Sequence, residues 1–179
     1  VVVVGIAVAL MLISPELVLI FGSPKYREAV YVIPPVAASV FFIFIYNILS
    51  MPQFYYEKTQ FLMAASMAAA GATVVLNFIF IRLFGYIAAG YTTLACYMLY
   101  SVGHYIVSKR ILVNEGIQEN LMNPGFLVAC SVFLIGASII CNLIFPYRIL
   151  RYAILLASAG LVFWKKELLL KTMADIRKK

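Results

Sequence analysis

Polar side chains recur at helical spacing inside one of the long apolar stretches of the chain. Between positions 86 and 104 they follow one another at intervals of four, three, four, three and four residues. The set is Tyr86, Gly90, Thr93, Tyr97, Tyr100 and His104. Because an α-helix turns once in about 3.6 residues, these positions share one helical face. Such a face could bind a polar solute, or it could form hydrogen bonds to a neighbouring helix.

A second polar set precedes the first one in the chain. Its members, again three and four residues apart, are Ser66, Ala70, Thr73 and Asn77. Only a few residues around Gly85 separate the two apolar stretches, so we expect an antiparallel helical hairpin. The two faces could line a common cavity or simply pack on each other.

Two ionisable residues belong to the same hairpin. Arg82 ends the first of its apolar stretches and could offer a fixed positive charge to an anionic headgroup, or it could extend to the membrane interface. His104 is the only histidine of the chain and could titrate near neutral pH. It also lies one turn before Ser108, Lys109 and Arg110, where it could simply reach cytoplasmic water. We predict that a polar solute would contact five residues of the hairpin, and we call them the predicted substrate path. They are Asn77, Arg82, Thr93, Tyr97 and His104.

The sequence contains no recognisable catalytic arrangement. We find no paired carboxylates in the apolar stretches, no Ser/His/Asp arrangement and no glycine-rich phosphate loop. Three cysteines, Cys96, Cys130 and Cys141, lie within apolar stretches, and their spacing fits neither a metal motif nor a disulfide framework. We therefore predict a protein that is not an enzyme and that binds no cofactor or metal.

The composition indicates a membrane protein. Hydrophobic residues make up 65% of the chain and charged residues 12%, against about 25% charged in soluble domains. The charges cluster between apolar stretches and in the last fifteen residues, so the net charge of +7 fits membrane topology better than nucleic-acid binding.

Six apolar segments are long enough to cross a bilayer as helices. They cover residues 1–20, 30–50, 61–83, 86–107, 124–145 and 149–164. A membrane β-barrel would need alternation with a period of two, which is absent. The predicted fold is all-α, a multi-pass transmembrane helical bundle.

The basic residues orient this bundle. The tail 165–179 carries six of them, which places the C-terminus in the cytoplasm by the positive-inside rule. Lys58, Lys109 and Arg110 then lie on the same side, so that nine basic residues face the cytoplasm and five face outward. The turn "FYYEKTQ" at 54–60 becomes a cytoplasmic loop with aromatic residues at the interface.

Several stretches resemble one family of transporters. The segment from "FYYEKTQFLMAAS" at 54–66 through "FGYIAAGYTT" at 84–93 to "HYIVSKR" at 104–110 is similar to bacterial oligosaccharide flippases of the Wzx type. These belong to the superfamily of the MATE multidrug exporters. The stretch "SPELVLIFGSPKYREAVYVIPP" at 14–35 resembles the preceding helix junction of that family. One departure is Arg82, where the family commonly has a proline before the "FG" turn.

The resemblance implies both an organisation and a function. Residues 1–110 would be the last four helices of the second transporter lobe, 111–164 two additional transmembrane helices, and 165–179 a basic cytoplasmic tail. The chain would be the C-terminal part of a longer protein in the bacterial cytoplasmic membrane. It would move undecaprenyl-pyrophosphate-linked oligosaccharide by alternating access. Its partners would be membrane lipids, the lipid-linked oligosaccharide and the N-terminal lobe, with no nucleic acid. Two alternative functions are a multidrug exporter of the same superfamily and a non-transporting membrane scaffold.

Overall fold

A computed structural model describes residues 2–117, 122–147, 149–154, 156 and 157, and these residues form helices joined by short turns. No strand occurs among these residues. The elements are α1 (Val2–Phe21), a 3₁₀ segment (Pro24–Tyr31), α2 (Ile33–Tyr55), α3 (Thr59–Phe84), α4 (Ala88–Asn114) and α5 (Pro124–Ile144).

Within the described residues, four helices are long and apolar enough to cross a membrane, namely α1, α2, α3 and α5. The predicted segment 86–107 forms most of α4, which is long enough but more polar than the other four. Half of the predicted segment 149–164 falls outside the described residues; its backbone is helical at 149–154 and at 156–157. The all-helical class is therefore confirmed for the described chain, whereas the number of six spans stays a prediction.

The predicted boundaries of the second span differ from those of α2. The span was expected over residues 30–50, but α2 begins at Ile33 and continues to Tyr55. Its start is delayed because the 3₁₀ segment Pro24–Tyr31 precedes it. The helix ends further along than predicted, and Gln53, which lies beyond the predicted end at residue 50, is a buried helical residue.

Helices α2 and α4 pack closely and run in the same direction. Ser101 Oγ donates to the carbonyl of Phe42 over 2.9 Å, and Ser108 Oγ donates to the carbonyl of Leu49. The two pairs are seven residues apart on both helices, so the register is constant along the interface. At the start of α4, Gly90 permits an even closer approach.

The constraint at Gly90 is steric. A Cβ atom added there would lie 2.8 Å from Pro35 Cγ and 2.9 Å from the carbonyl oxygen of Val32. Both distances are well below van der Waals contact, so only glycine fits without a shift of one of the two helices. Small residues serve the same purpose in membrane helix pairs generally.

Helix α3 runs antiparallel to α4 and forms a hairpin with it, as the sequence predicts. The turn uses Gly85 at φ 77°, a left-handed conformation that favours glycine. None of the residues of α3 is buried, in contrast to α2, whose faces contact α1, α3 and α4. Helix α3 therefore presents a long, mostly apolar surface.

The chain forms two compact units, residues 1–142 and 143–179. In the first, Asn142 near the end of α5 donates through Nδ2 to the Tyr31 carbonyl at 3.3 Å and contacts the Tyr91 hydroxyl at 2.8 Å. In the second, the Arg151 guanidinium lies 5.1 Å from the centroid of the Tyr152 ring.

Candidate functional site

A cavity of about 440 Å³ lies along the α3–α4 hairpin and extends to α2. Its volume falls within the range of about 300 to 1,000 Å³ that is usual for small-molecule sites. Six of its nine lining residues carry a hydroxyl group, and no charged residue is among those that line it. The lining consists of Tyr46, Ser66, Ala69, Ala70, Thr73, Thr93, Cys96, Tyr97 and Tyr100.

The polar face of α3 supplies one wall of this cavity. Ser66 Oγ and the Tyr100 hydroxyl are 2.6 Å apart, so one donates to the other across the hairpin. Thr73 Oγ1 donates to the carbonyl of Ala69 one turn earlier, at 2.8 Å, and keeps lone pairs for another donor. The two alternatives for the paired faces are both realised, since the helices share hydrogen bonds and also leave a cavity between them.

The aromatic side of the cavity is formed by tyrosines from two helices. The rings of Tyr46 and Tyr97 are nearly parallel, with centroids 6.4 Å apart, and Tyr46 also contacts Tyr100 at 4.7 Å. Tyr46 comes from α2, the other two from α4. A solute in the cavity would therefore meet ring faces as well as hydroxyl groups.

The predicted face of α4 divides between two neighbours. Thr93, Tyr97 and Tyr100 line the cavity, whereas Gly90 and His104 are buried against α2. His104 is only 1% exposed, so neither contact with the cavity nor contact with cytoplasmic water describes it.

Asn77 and Arg82 lie outside the cavity, closer to the turn of the hairpin. Asn77 Oδ1 accepts a hydrogen bond from Thr92 Oγ1, which joins α3 to α4. Arg82 is exposed, and its guanidinium lies 4.0 Å from the centroid of the Phe78 ring, the geometry of a cation–π contact. Of the five residues of the predicted substrate path, the structure brings only Thr93 and Tyr97 together in one cavity.

Next to Arg82, the turn carries a tyrosine–carboxylate pair. The Tyr86 hydroxyl donates to Glu28 Oε2 at 2.8 Å, which ties the turn to the 3₁₀ segment. This hydrogen bond to a carboxylate raises the pKa of Tyr86, because ionisation of the phenol would break the bond and bring two negative charges together.

Polar residues of α2 also belong to the site, although the sequence prediction does not include them. Tyr46 lines the cavity, and Gln53 is fully buried in contact with His104 and Ser108. Tyr46, Ser50 and Gln53 recur at intervals of four and three residues, the same signal that identified the other two faces. The predicted second span ends at residue 50, so Gln53 lies outside it and the recurrence is not visible within the span.

Metal binding finds no support in the described part of the chain, where no group of three His, Cys, Asp or Glu residues could hold an ion. The three cysteines are free, and Cys96 and Cys141 are buried.

No protein-family model, no curated protein and no solved structure matches the chain. The described part of the chain is all-helical and contains helices suited to a bilayer. A cavity lined by tyrosine rings and hydroxyl groups lies along one of its helical hairpins.

Proposed function

We propose that the chain is part of a membrane transporter that moves a lipid-linked oligosaccharide across the bacterial cytoplasmic membrane by alternating access. In this proposal it crosses the bilayer six times with its C-terminus in the cytoplasm, and it acts together with an N-terminal lobe. The resemblance of residues 54–110 to oligosaccharide flippases of the Wzx type suggests the class. The observation that carries the proposal is the α3–α4 cavity.

The chemistry of this cavity suits a sugar. A sugar carries many hydroxyl groups that both donate and accept. The six lining hydroxyls keep lone pairs for such donors, while Thr73 and Thr93 use their own hydrogens on the carbonyls of Ala69 and Ala89. Its rings also have less polar faces, which can lie against tyrosine rings such as those of Tyr46 and Tyr97. Polar groups at helical spacing in otherwise apolar helices lower the free-energy cost of bringing such a solute into hydrocarbon.

The alternatives predict other cavities. A multidrug exporter for cationic compounds would need a carboxylate in its cavity, and the lining residues include none. A membrane scaffold would use the polar faces only for packing, as the hydrogen bond between Ser66 and Tyr100 does.

A transport assay separates these alternatives. The chain is reconstituted with its N-terminal lobe in proteoliposomes, and a lectin detects the oligosaccharide that reaches the opposite leaflet. Thr93→Val and Tyr97→Phe each remove one cavity hydroxyl at nearly constant volume. We expect each to lower transport per folded molecule by about tenfold, since a hydrogen bond contributes about 1 kcal/mol and a buried partner left unpaired costs more.

Matched controls make the result specific. Thr59→Val and Tyr55→Phe are the same chemical changes at exposed positions outside the cavity, and they should leave transport unchanged. If all four variants change only the amount of folded protein, the cavity serves packing and its assignment as the substrate site is wrong. Transport of cationic drugs without movement of the oligosaccharide would establish the exporter instead.

A further inference from the structure

Three buried polar side chains meet between α2 and α4, next to Tyr46 and Tyr100. Gln53 Nε2 lies 2.8 Å from His104 Nδ1 and 3.0 Å from Ser108 Oγ. Gln53 and Ser108 are 0% exposed and His104 is 1% exposed. The cluster contains the only histidine of the chain.

The hydrogen-bond geometry defines the protonation state of this cluster. The Gln53 amide nitrogen has two hydrogens, and both are used, one toward His104 Nδ1 and one toward Ser108 Oγ. Nδ1 must then be the lone-pair nitrogen, so the neutral imidazole carries its hydrogen on Nε2. Ser108, which accepts from Gln53, donates its own hydroxyl hydrogen to the carbonyl of Leu49.

Within the part of the chain that the structure describes, two polar atoms of the cluster have no hydrogen-bond partner. They are Gln53 Oε1 and His104 Nε2, each inaccessible to solvent. Buried polar atoms normally have partners, and an unpaired one costs about 1 to 3 kcal/mol. The free acceptor lies on the same amide group that donates to the imidazole, so rotating this amide by half a turn would exchange donor for acceptor beside Nδ1.

We propose that Gln53, His104 and Ser108 form a proton-binding site whose occupancy changes the hydrogen bonds between α2 and α4. A hydronium ion transfers a proton to the lone pair of Nδ1: one O–H bond breaks, a water molecule remains, and the new N–H bond gives an imidazolium with N–H groups on both nitrogens. The Gln53 amide then turns, and Oε1 accepts from the new Nδ1–H. No other covalent bond forms or breaks, and the site gains one positive charge.

The proton acts on the helix pair through Ser108. After the amide has turned, Gln53 Oε1 lies beside Ser108 Oγ, and the hydroxyl has a single hydrogen to donate. If that hydrogen stays on the Leu49 carbonyl, two oxygen atoms face each other without a hydrogen between them. If it moves to Oε1, the Leu49 carbonyl of α2 loses its bond from α4. Either outcome weakens one of the two serine links between these helices.

Among the described residues, tyrosine rings contact His104, and the charged residues Glu57 and Lys58, which follow Gln53 in the chain, are exposed. From α2, the ring of Tyr46 lies 5.8 Å away between centroids, and on α4 itself the ring of Tyr100 lies 4.4 Å away, nearly perpendicular. These are the titratable groups that contact the imidazole. The nearby charged residues Lys109 and Arg110 are exposed. The turned Gln53 amide is thus the acceptor on which a protonated His104 depends.

The proton site and the cavity have two walls in common. Tyr46 and Tyr100 contact His104 and also line the cavity. A solute in the cavity and a proton on His104 would therefore act on the same rings. This coupling to a transported solute rests on the proposed function, whereas the proton site does not.

Nitrogen NMR tests the site directly. The full chain, labelled with ¹⁵N-histidine and placed in phospholipid bicelles, gives signals from His104 alone, because no other histidine exists. At high pH we expect Nδ1 without a hydrogen and Nε2 with one. On acidification, both nitrogens should become protonated while the helices stay folded.

Substitutions of Gln53 identify the amide as the partner. Gln53→Leu removes the acceptor for the imidazolium, so the midpoint of the titration should fall by about half a unit to one unit, since hydrogen bonds to charged groups are stronger than neutral ones. Gln53→Glu supplies a carboxylate and should raise the midpoint. Gln60→Leu, at an exposed position early in α3, is the control and should leave it unchanged.

Two results would overturn the proposal. One is an imidazole that keeps the same single hydrogen down to the pH at which the chain unfolds. The other is a midpoint that the Gln53 variants do not move, which would mean that protonation is independent of the cluster. Neither result depends on the lectin assay, so failure of the proton site and failure of the proposed transport function are distinguishable.

Discussion

Replacing Gly90 by alanine tests the close packing of α2 and α4, on which the position of the cavity depends. The new Cβ atom would lie 2.8 Å from Pro35 Cγ and 2.9 Å from the carbonyl oxygen of Val32. One neighbour is a rigid ring and the other is backbone, so neither can rotate away. The helices must instead separate locally by several tenths of an ångström.

The size of the effect follows from a matched substitution on the same helix. An added methyl group in a well-packed region costs about 1 to 3 kcal/mol. Alanine also favours the helical backbone over glycine by up to about 1 kcal/mol, which would mask part of that cost. Gly103→Ala brings the same gain in helix propensity without a clash, because no atom outside its own stretch of helix lies within 4 Å of the added Cβ. Comparing the two variants therefore largely removes the propensity effect. We therefore expect Gly90→Ala to be less stable than Gly103→Ala by about 1 to 3 kcal/mol.

Equilibrium unfolding in mixed micelles measures this difference. The thiol of Cys141 is buried and is not among the residues that line the cavity, so it reports opening of the structure once Cys96 and Cys130 have been replaced by alanine. Each 1.4 kcal/mol corresponds to about a tenfold change in the unfolding equilibrium. Equal stability of the two alanine variants would refute the contact between the start of α4 and the start of α2.

Two further predictions concern topology and the hairpin. A cysteine that replaces Lys58 should react with an impermeant reagent only from the cytoplasmic side, and a cysteine that replaces Arg27 only from outside. The reason is that the basic tail orients the chain and the spans alternate. Labelling of the cysteine at position 58 from outside would mean that the orientation is reversed. In a double-mutant cycle, Ser66→Ala and Tyr100→Phe should show a coupling of about 0.6 kcal/mol and at most about 1.7 kcal/mol, as for other hydrogen bonds between membrane helices; additive effects would mean that the 2.6 Å contact contributes no net stability.

Sequence periodicity predicted the helices and the α3–α4 hairpin because each depends on local information. Apolar stretches broken by Gly, Pro and charge define the ends of α3 and the turn at Gly85. The end of α2 could not be read in the same way. Gln53 is buried because His104 and Ser108, more than fifty residues later, provide its partners.

The division of the polar face of α4 also required the structure. An α-helix turns by about 100° per residue, so the six residues of the polar set between Tyr86 and His104 lie within about 40° of a single line along the helix. That line follows the boundary between two neighbours, with α2 on one flank and α3 on the other. A sequence can show that such a face is polar, but the packing of both neighbours decides which residues are buried and which line a cavity.

The long separation between Gln53 and its partners has a consequence for synthesis. The chain emerges from the ribosome at about 5 to 20 residues per second. His104 follows Gln53 by 51 residues, so α2 exists for roughly 3 to 10 s before α4 can cover the Gln53 amide. During that time the amide needs another partner, and its place two residues before the end of α2 at Tyr55 brings it within reach of interfacial water. A glutamine nearer the middle of α2 would have to wait for α4 in hydrocarbon, so the order of synthesis favours placing this polar contact at the end of the helix.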